Sequence, residues 1–189
     1  MKYLRFCFLL VIILSCNIRP ENAETAASYF NIEELLNREI NYLLSQNAGL
    51  EKSLVSNGES ELVQLKPKSK EEWKEQLSLF FDANIDKPGF KDAYFEERLS
   101  PLSGMSKTIY SARTSKTPVQ TFECLYTNDI LTQINIELVE KNIVFSNLRS
   151  LKLYFDPKGE HIIGFDVTGN ENMQLKEKMQ FSIQAVITY

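Results

Sequence analysis

The chain holds one histidine, His161, and three cysteines, Cys7, Cys16 and Cys124. A single histidine excludes a two-histidine metal site. His161 heads a strand pattern with Ile163 and Phe165. It could act as a base only with a substrate proton in reach, and its place at the start of a hairpin strand predicts a structural residue. Cys124 lies in Thr121-Phe122-Glu123-Cys124-Leu125-Tyr126, where alternation puts it on one face with Phe122 and Tyr126. A nucleophilic thiol needs a histidine or a helix N-terminus to lower its pKa. Neither neighbours Cys124 in sequence, which predicts a buried core cysteine. The stretch Asp82-Ala83-Asn84-Ile85-Asp86 has the look of a calcium loop. An EF-hand needs Gly at its sixth position and Glu at its twelfth; counted from Asp82, those positions hold Lys87 and Ala93. A polar turn after a helix is the expectation instead. Asp82, Asp86, Glu96 and Glu97, near Pro88-Gly89, are the one acidic concentration from which a fold could assemble a carboxylate pair. Phosphate loops, nucleophile elbows and paired-cysteine motifs are missing from the sequence. No catalytic, cofactor-binding or metal-ligating residue is therefore assigned, and the prior for an enzyme falls.

Cys16 is different, because its chemistry is set by what precedes it. Lys2 and Arg5 form a positive start, and Phe6 to Leu14 is a continuous apolar run. That run has the size of a signal-peptide core and is too short to cross a hydrocarbon layer of about 30 Å as a helix. It ends in Ile13-Leu14-Ser15-Cys16, which resembles the bacterial lipobox, with Leu14 bulkier than the usual occupant. The resemblance implies diacylglyceryl transfer to the Cys16 thiol, cleavage after Ser15, and acylation of the new amine by a fatty acid such as palmitate. Several acyl chains hold a protein durably where one does not. A plain secretory signal and an uncleaved anchor are the alternatives; the position of Cys16, directly where the apolar run stops, favours lipidation. The expected organisation is a signal peptide over 1–15, a lipid-anchored tether over 16–27, and one domain over 28–189.

Composition agrees with one soluble domain on such an anchor. The chain has 189 residues, 43% hydrophobic and 24% charged, enough for a packed core. Removing residues 1–15 takes away Lys2 and Arg5, leaving 19 bases against 25 acids. No basic stripe interrupts this acidic balance, which argues against nucleic acid as a partner. With Cys16 acylated, Cys124 stands alone, and no internal disulfide is expected.

The elements that must position these groups can be read from periodicity. Asn31 to Ser45 predicts a helix with Ile32, Leu35, Leu36, Ile40, Leu43 and Leu44 on one face, capped by Asn31 with Glu34 three residues on. Residues 50–66 predict a hairpin turning at Asn57-Gly58. Lys70 to Asp82 predicts a second helix with Trp73, Leu77, Phe80 and Phe81 inward, capped by Ser69 with Glu72. Residues 92–105 suggest a loop. From Lys107 the period becomes two, with inward sets Ile130, Thr132, Ile134, Ile136, Leu138; Leu151, Leu153, Phe155; Ile163, Phe165, Val167; and Met179, Phe181, Ile183, Ala185, Ile187. Turns are expected at Asn128-Asp129, at Asp156-Pro157-Lys158-Gly159 and over Gly169–Asn172. The fold class is α+β: N-terminal helices packed on one face of an antiparallel sheet built mainly from the C-terminal half.

Tyr29-Phe30-Asn31-Ile32-Glu33, the hairpin at Asn57-Gly58-Glu59, Trp73-Lys74-Glu75-Gln76-Leu77 with Asp82, and Asn84-Ile85-Asp86-Lys87-Pro88 come in an order and spacing that resembles a group of small uncharacterised lipoproteins of Bacteroidota. Members of that group tend to carry Asp where this chain has Asn31 and Asn84. The resemblance implies a Gram-negative envelope, in the periplasm or at the outer membrane, and implies no activity. Three functions follow as expectations. The first is a non-catalytic binding or assembly module held to the membrane through lipid on Cys16, with an envelope protein as its possible partner. The second is a carrier of an apolar ligand such as a lipid. The third is a carboxylate-dependent envelope hydrolase.

Overall fold

The computed structural model describes residues 29–173 and 178–189. Its architecture is broadly α+β: one nine-stranded antiparallel sheet with a few helices. Helix α1 spans Ile32–Ser45, and its N-cap Asn31 accepts the Glu34 N–H at 3.0 Å, satisfying one of the donors a helix start leaves open. Ile32, Leu35, Leu36, Ile40 and Leu43 recur at helical spacing and are buried. Glu39 falls in the same stripe and is fully buried with them.

The second predicted helix is two. Helix α2 spans Lys70–Gln76 and α3 spans Ser78–Asp82, with Leu77 between them at φ −105°. Its carbonyl accepts the N–H groups of both Phe80 and Phe81, so the turn tightens there as short 3₁₀-type turns do. The tightening rotates the following turn. Phe80 becomes the fully buried residue, 5.5 Å from the Phe165 ring in an edge-to-face contact, and Phe81, expected in the core, is half-buried.

The strands are β1 Gly49–Ser56, β2 Glu59–Leu65, β3 Tyr94–Leu102, β4 Met105–Ala112, β5 Val119–Thr127, β6 Ile130–Lys141, β7 Phe145–Phe155, β8 Ile162–Met173 and β9 Met179–Thr188. Their order across the sheet is β2-β1-β9-β8-β7-β6-β5-β4-β3. The C-terminal run is a meander, and the N-terminal hairpin joins it at β9. Asn57 and Gly58, at φ 48° and 91°, make the two-residue turn of that hairpin, the left-handed pair such turns require. Asn128 and Asp129, at φ 50° and 64°, do the same between β5 and β6.

Four strand expectations are corrected. Residues 92–105 are largely β3, not a loop: their alternation is hidden because β3 lies at the sheet edge and most of its side chains are exposed. Gly169–Asn172 lies inside β8, where Gly169 backs onto the Phe181 ring so closely that a Cβ would stand 2.2 Å from it. Bulges near Thr132 and Ile163 shift the inward sets. Leu131 then packs on the core while Ile130 is exposed, and Ile162 is buried while Ile163 is exposed, since one extra residue flips every side chain beyond it. Phe181 and Ile183 are half-buried, whereas Ile134, Ile136, Leu151, Leu153, Phe155, Phe165 and Val167 are buried as expected. One cluster of buried side chains joins helix and strand residues from Tyr29 to Ile187.

Candidate functional site

The most unusual polar group in the core is the Glu39 carboxylate. Helix α1 places it in the apolar stripe, one turn from Leu35 and Leu43, where burial without partners is costly. Three donors meet it. The Ile162 N–H donates to Oε2 at 3.1 Å, His161 Nδ1 lies 3.2 Å from the same oxygen, and Arg38 Nε reaches Oε1 at 3.4 Å from a largely exposed side chain. A carboxylate accepts, so Nδ1 is the donor. The imidazole stacks flat on Tyr42, one helical step beyond Glu39, with ring centroids 3.4 Å apart and planes within 1°. Tyr189 meets Tyr42 edge-on at 6.5 Å. His161 itself ends the β7–β8 turn, where Asp156 Oδ1 accepts the Glu160 N–H at 2.8 Å and the His161 N–H at 3.5 Å.

A carboxylate that orients a histidine is half of a general-base arrangement. Here the ring's single hydrogen bond goes to Glu39, and its face is covered by Tyr42. Among the described residues, no hydroxyl or thiol is hydrogen-bonded to it. The arrangement joins α1 to the β7–β8 turn. Sequence reasoning expected His161 at the start of a hairpin strand; it stands in the turn just before β8, and its partner was missed. The signal was available: positions 32, 35, 36, 39, 40 and 43 form one helical stripe, and Glu39 is the polar member of it.

Cys124 stands on β5 facing Thr108 and Ile134 across the sheet, fully buried. Burial pushes its thiol up to about 12, the reverse of what activates a nucleophile.

The acidic concentration separates into parts. Asp82 is exposed, and its carbonyl accepts from Lys87 Nζ at 3.4 Å. Ala83, Asn84 and Ile85 turn inward and are buried, so the expected polar turn is half core. Asn84 donates to Glu33 Oε2 at 3.2 Å and accepts the Asp86 N–H at 3.1 Å. Glu96 pairs with Arg98 at 2.8 Å, and the next residue, Glu97, points to the opposite face of β3. Burial first, then the charge of Glu96, with a smaller push from Asp86, raises the Tyr110 hydroxyl to about 12.

Among the described residues, no group of three or more His, Cys, Asp or Glu side chains could hold a metal ion, and no helix is long and apolar enough to cross a membrane. Cys16, the signal segment 1–15 and the tether 16–27 lie outside the described residues. Comparison with protein-family models, with curated proteins and with solved structures finds no match.

Proposed function

We propose that the chain is an envelope lipoprotein, held on a membrane, and most simply the outer membrane, by lipid on Cys16, whose domain binds or assembles with another envelope component without catalysing a reaction. The observation that carries the non-catalytic reading is the use made of the two groups suited to acid–base or nucleophilic work near neutral pH. His161 is bonded to Glu39 and stacked on Tyr42, and Cys124 is buried with its thiol pushed up to about 12. The helices lie as a layer against one face of the sheet in this reading. Trp73, Phe80, Phe122 and Phe165, each almost wholly buried, fill the space in which a carrier would hold its ligand.

The hydrolase reading is the alternative, with Asp86 as the carboxylate to test. Two measurements test the proposal. Wild-type chain in its native host should incorporate radiolabelled palmitate, and Cys16→Ser should abolish the label and leave an unprocessed precursor. Purified residues 24–189 should show no turnover of ester, peptide, phosphate or glycoside panels. Turnover that disappears in Asp86→Asn, with circular dichroism unchanged, would establish the hydrolase in place of the module.

A further inference from the structure

We propose that the β6–β7 turn is a second membrane contact, dipping into the anionic surface of the bilayer that holds the chain's lipid. The geometry of this proposal rests on the anchoring reading; its chemistry rests on the turn. Ile143 is 90% exposed and Val144 56% at the tip. Leu148 is exposed beside them, and Val139 and Phe145 are half-buried, so the apolar surface continues down both strands. Lone apolar residues on a surface are ordinary; a contiguous set at the extreme of a hairpin leaves area wet that a bilayer would cover.

Three main-chain donors of the tip are paired within it. Asn142 Oδ1 accepts the N–H groups of Val144 at 2.9 Å and Phe145 at 2.8 Å, and the Asn142 N–H donates to the Phe145 carbonyl at 2.9 Å. A backbone paired in this way enters an apolar medium without orphaning those donors. The same bonds hold the turn in one shape, so little ordering accompanies contact.

Charge points the same way. In an antiparallel meander alternate turns share an end of the sheet, so the β4–β5 and β8–β9 turns flank the β6–β7 turn. The Val139 N–H donates to the Pro118 carbonyl at 2.8 Å, joining two of them. In sequence, the segments 113–118, 140–144 and 174–178 carry Arg113, Lys116, Lys141, Lys176 and Lys178 against Glu140 and Glu177. An open hollow of about 760 Å³ between Lys116, Lys141, Pro118 and Phe145 leaves the ammonium groups beside the apolar tip. At the opposite end the turns carry Asp129, Asp156 and Glu160 against Lys158. An acidic chain thus presents its basic end with its apolar tip, the combination that favours anionic lipid.

The tether reaches this end too. The described chain begins at Tyr29, whose hydroxyl accepts the Tyr94 N–H at 3.2 Å. Tyr94 is the first residue of β3 and pairs with Ala112, the last of β4, so Tyr29 lies beside the β4–β5 turn. The 13 residues from Cys16 to Tyr29 reach about 45 Å at full stretch, and a strand of the length of β7 spans about 36 Å. The tether thus joins the domain at the end that carries the tip, and the anchor supplies a local concentration at which a weak second contact there is occupied.

The test uses the full lipidated chain carrying Ile143→Cys, labelled with an environment-sensitive fluorophore and anchored in vesicles of phosphatidylethanolamine and phosphatidylglycerol. Brominated acyl chains should quench the fluorophore at least about twofold, and a label placed by Lys158→Cys at the opposite end should stay unquenched. A second arm needs no anchor. The chain from Asn17 onward, which holds the whole described core, should float with anionic vesicles but not with purely zwitterionic ones, and should release in about 0.5 M salt, where charges are screened. Ile143→Asp with Val144→Asp should lower the bound fraction about tenfold, with unfolding midpoints unchanged. Equal binding by the double variant, or a fluorophore left in water in the anchored chain, overturns the proposal and gives the tip to a protein partner instead. Loss of palmitate labelling with the second arm intact would overturn the anchor reading and not the tip.

Discussion

Glu39 and His161 allow a test in which removing two interacting groups costs less than removing one. His161→Ala leaves the Glu39 carboxylate fully buried with the Ile162 N–H at 3.1 Å and the distant Arg38 as its donors. Breaking a buried pair from one side costs about 3–5 kcal/mol. The imidazole side chain is 28% exposed, so solvent weakens the pair, and about 2–3 kcal/mol is the appropriate share. Loss of the stacked contact with Tyr42 adds about 0.5–1 kcal/mol. Glu39→Leu combined with His161→Ala removes the buried charge as well. What is left unpaired is the Ile162 N–H, worth about 1–2 kcal/mol, while leucine restores apolar contact inside the α1 stripe. The double variant should therefore be more stable than His161→Ala by about 1 kcal/mol or more. Urea unfolding followed by circular dichroism reads this as a midpoint of His161→Ala below that of the double variant by about 0.5–1 M, with slopes unchanged. A double variant destabilised by the sum of its two single changes would refute the reasoning, because it would mean that the carboxylate and the ring contribute independently.

Further expectations concern the same core. Cys124 in residues 24–189 should resist a disulfide reagent at pH 8 and react fully in denaturing urea, as a thiol pushed up to about 12 by burial requires; rapid native labelling would contradict its placement. Phe165→Ala should cost about 3–5 kcal/mol and Phe181→Ala visibly less, because Phe165 is buried and Phe181 only half so; equal losses would count against the register of β8 and β9. Gly164→Ala should destabilise by about 1–3 kcal/mol, since its Cβ would stand 2.5 Å from the Ala185 carbonyl oxygen, a backbone atom with nowhere to move. Tyr110 is raised to about 12 by burial and then by Glu96, and Tyr154 to about 12 by burial and then by its bond to Asp166. The unfolded tyrosines ionise near pH 10 and the folded ones do not. Their contribution is complete below pH 10 and lost as the pH rises through 12, so the urea midpoint should fall across that range, and less steeply in Tyr110→Phe.

Local patterns in this sequence determined the parts that depend on near neighbours. Asn31 and Ser69 cap their helices through side-chain oxygens on N–H groups three residues away. Asn57-Gly58 supplies the positive φ pair of a hairpin, and alternation marks the central strands where one face is buried. The stripe on α1 and the burial of Cys124 follow from periods of 3.6 and 2 alone. The tertiary structure decided everything that needed a partner distant in sequence. Edge strand β3 hid its period because its neighbour on one side is solvent. Bulges at Thr132 and Ile163 moved the inward set by one residue, a choice made by the strands across from them. The break at Leu77 left Phe81 half-buried while Phe80 packs beneath Phe165. Glu39 and His161 are separated by 122 residues; a carboxylate amid leucines is visible in the sequence, but what satisfies it is fixed only when α1 meets the β7–β8 turn, because a hydrogen bond depends on where atoms lie and not on how many residues separate them.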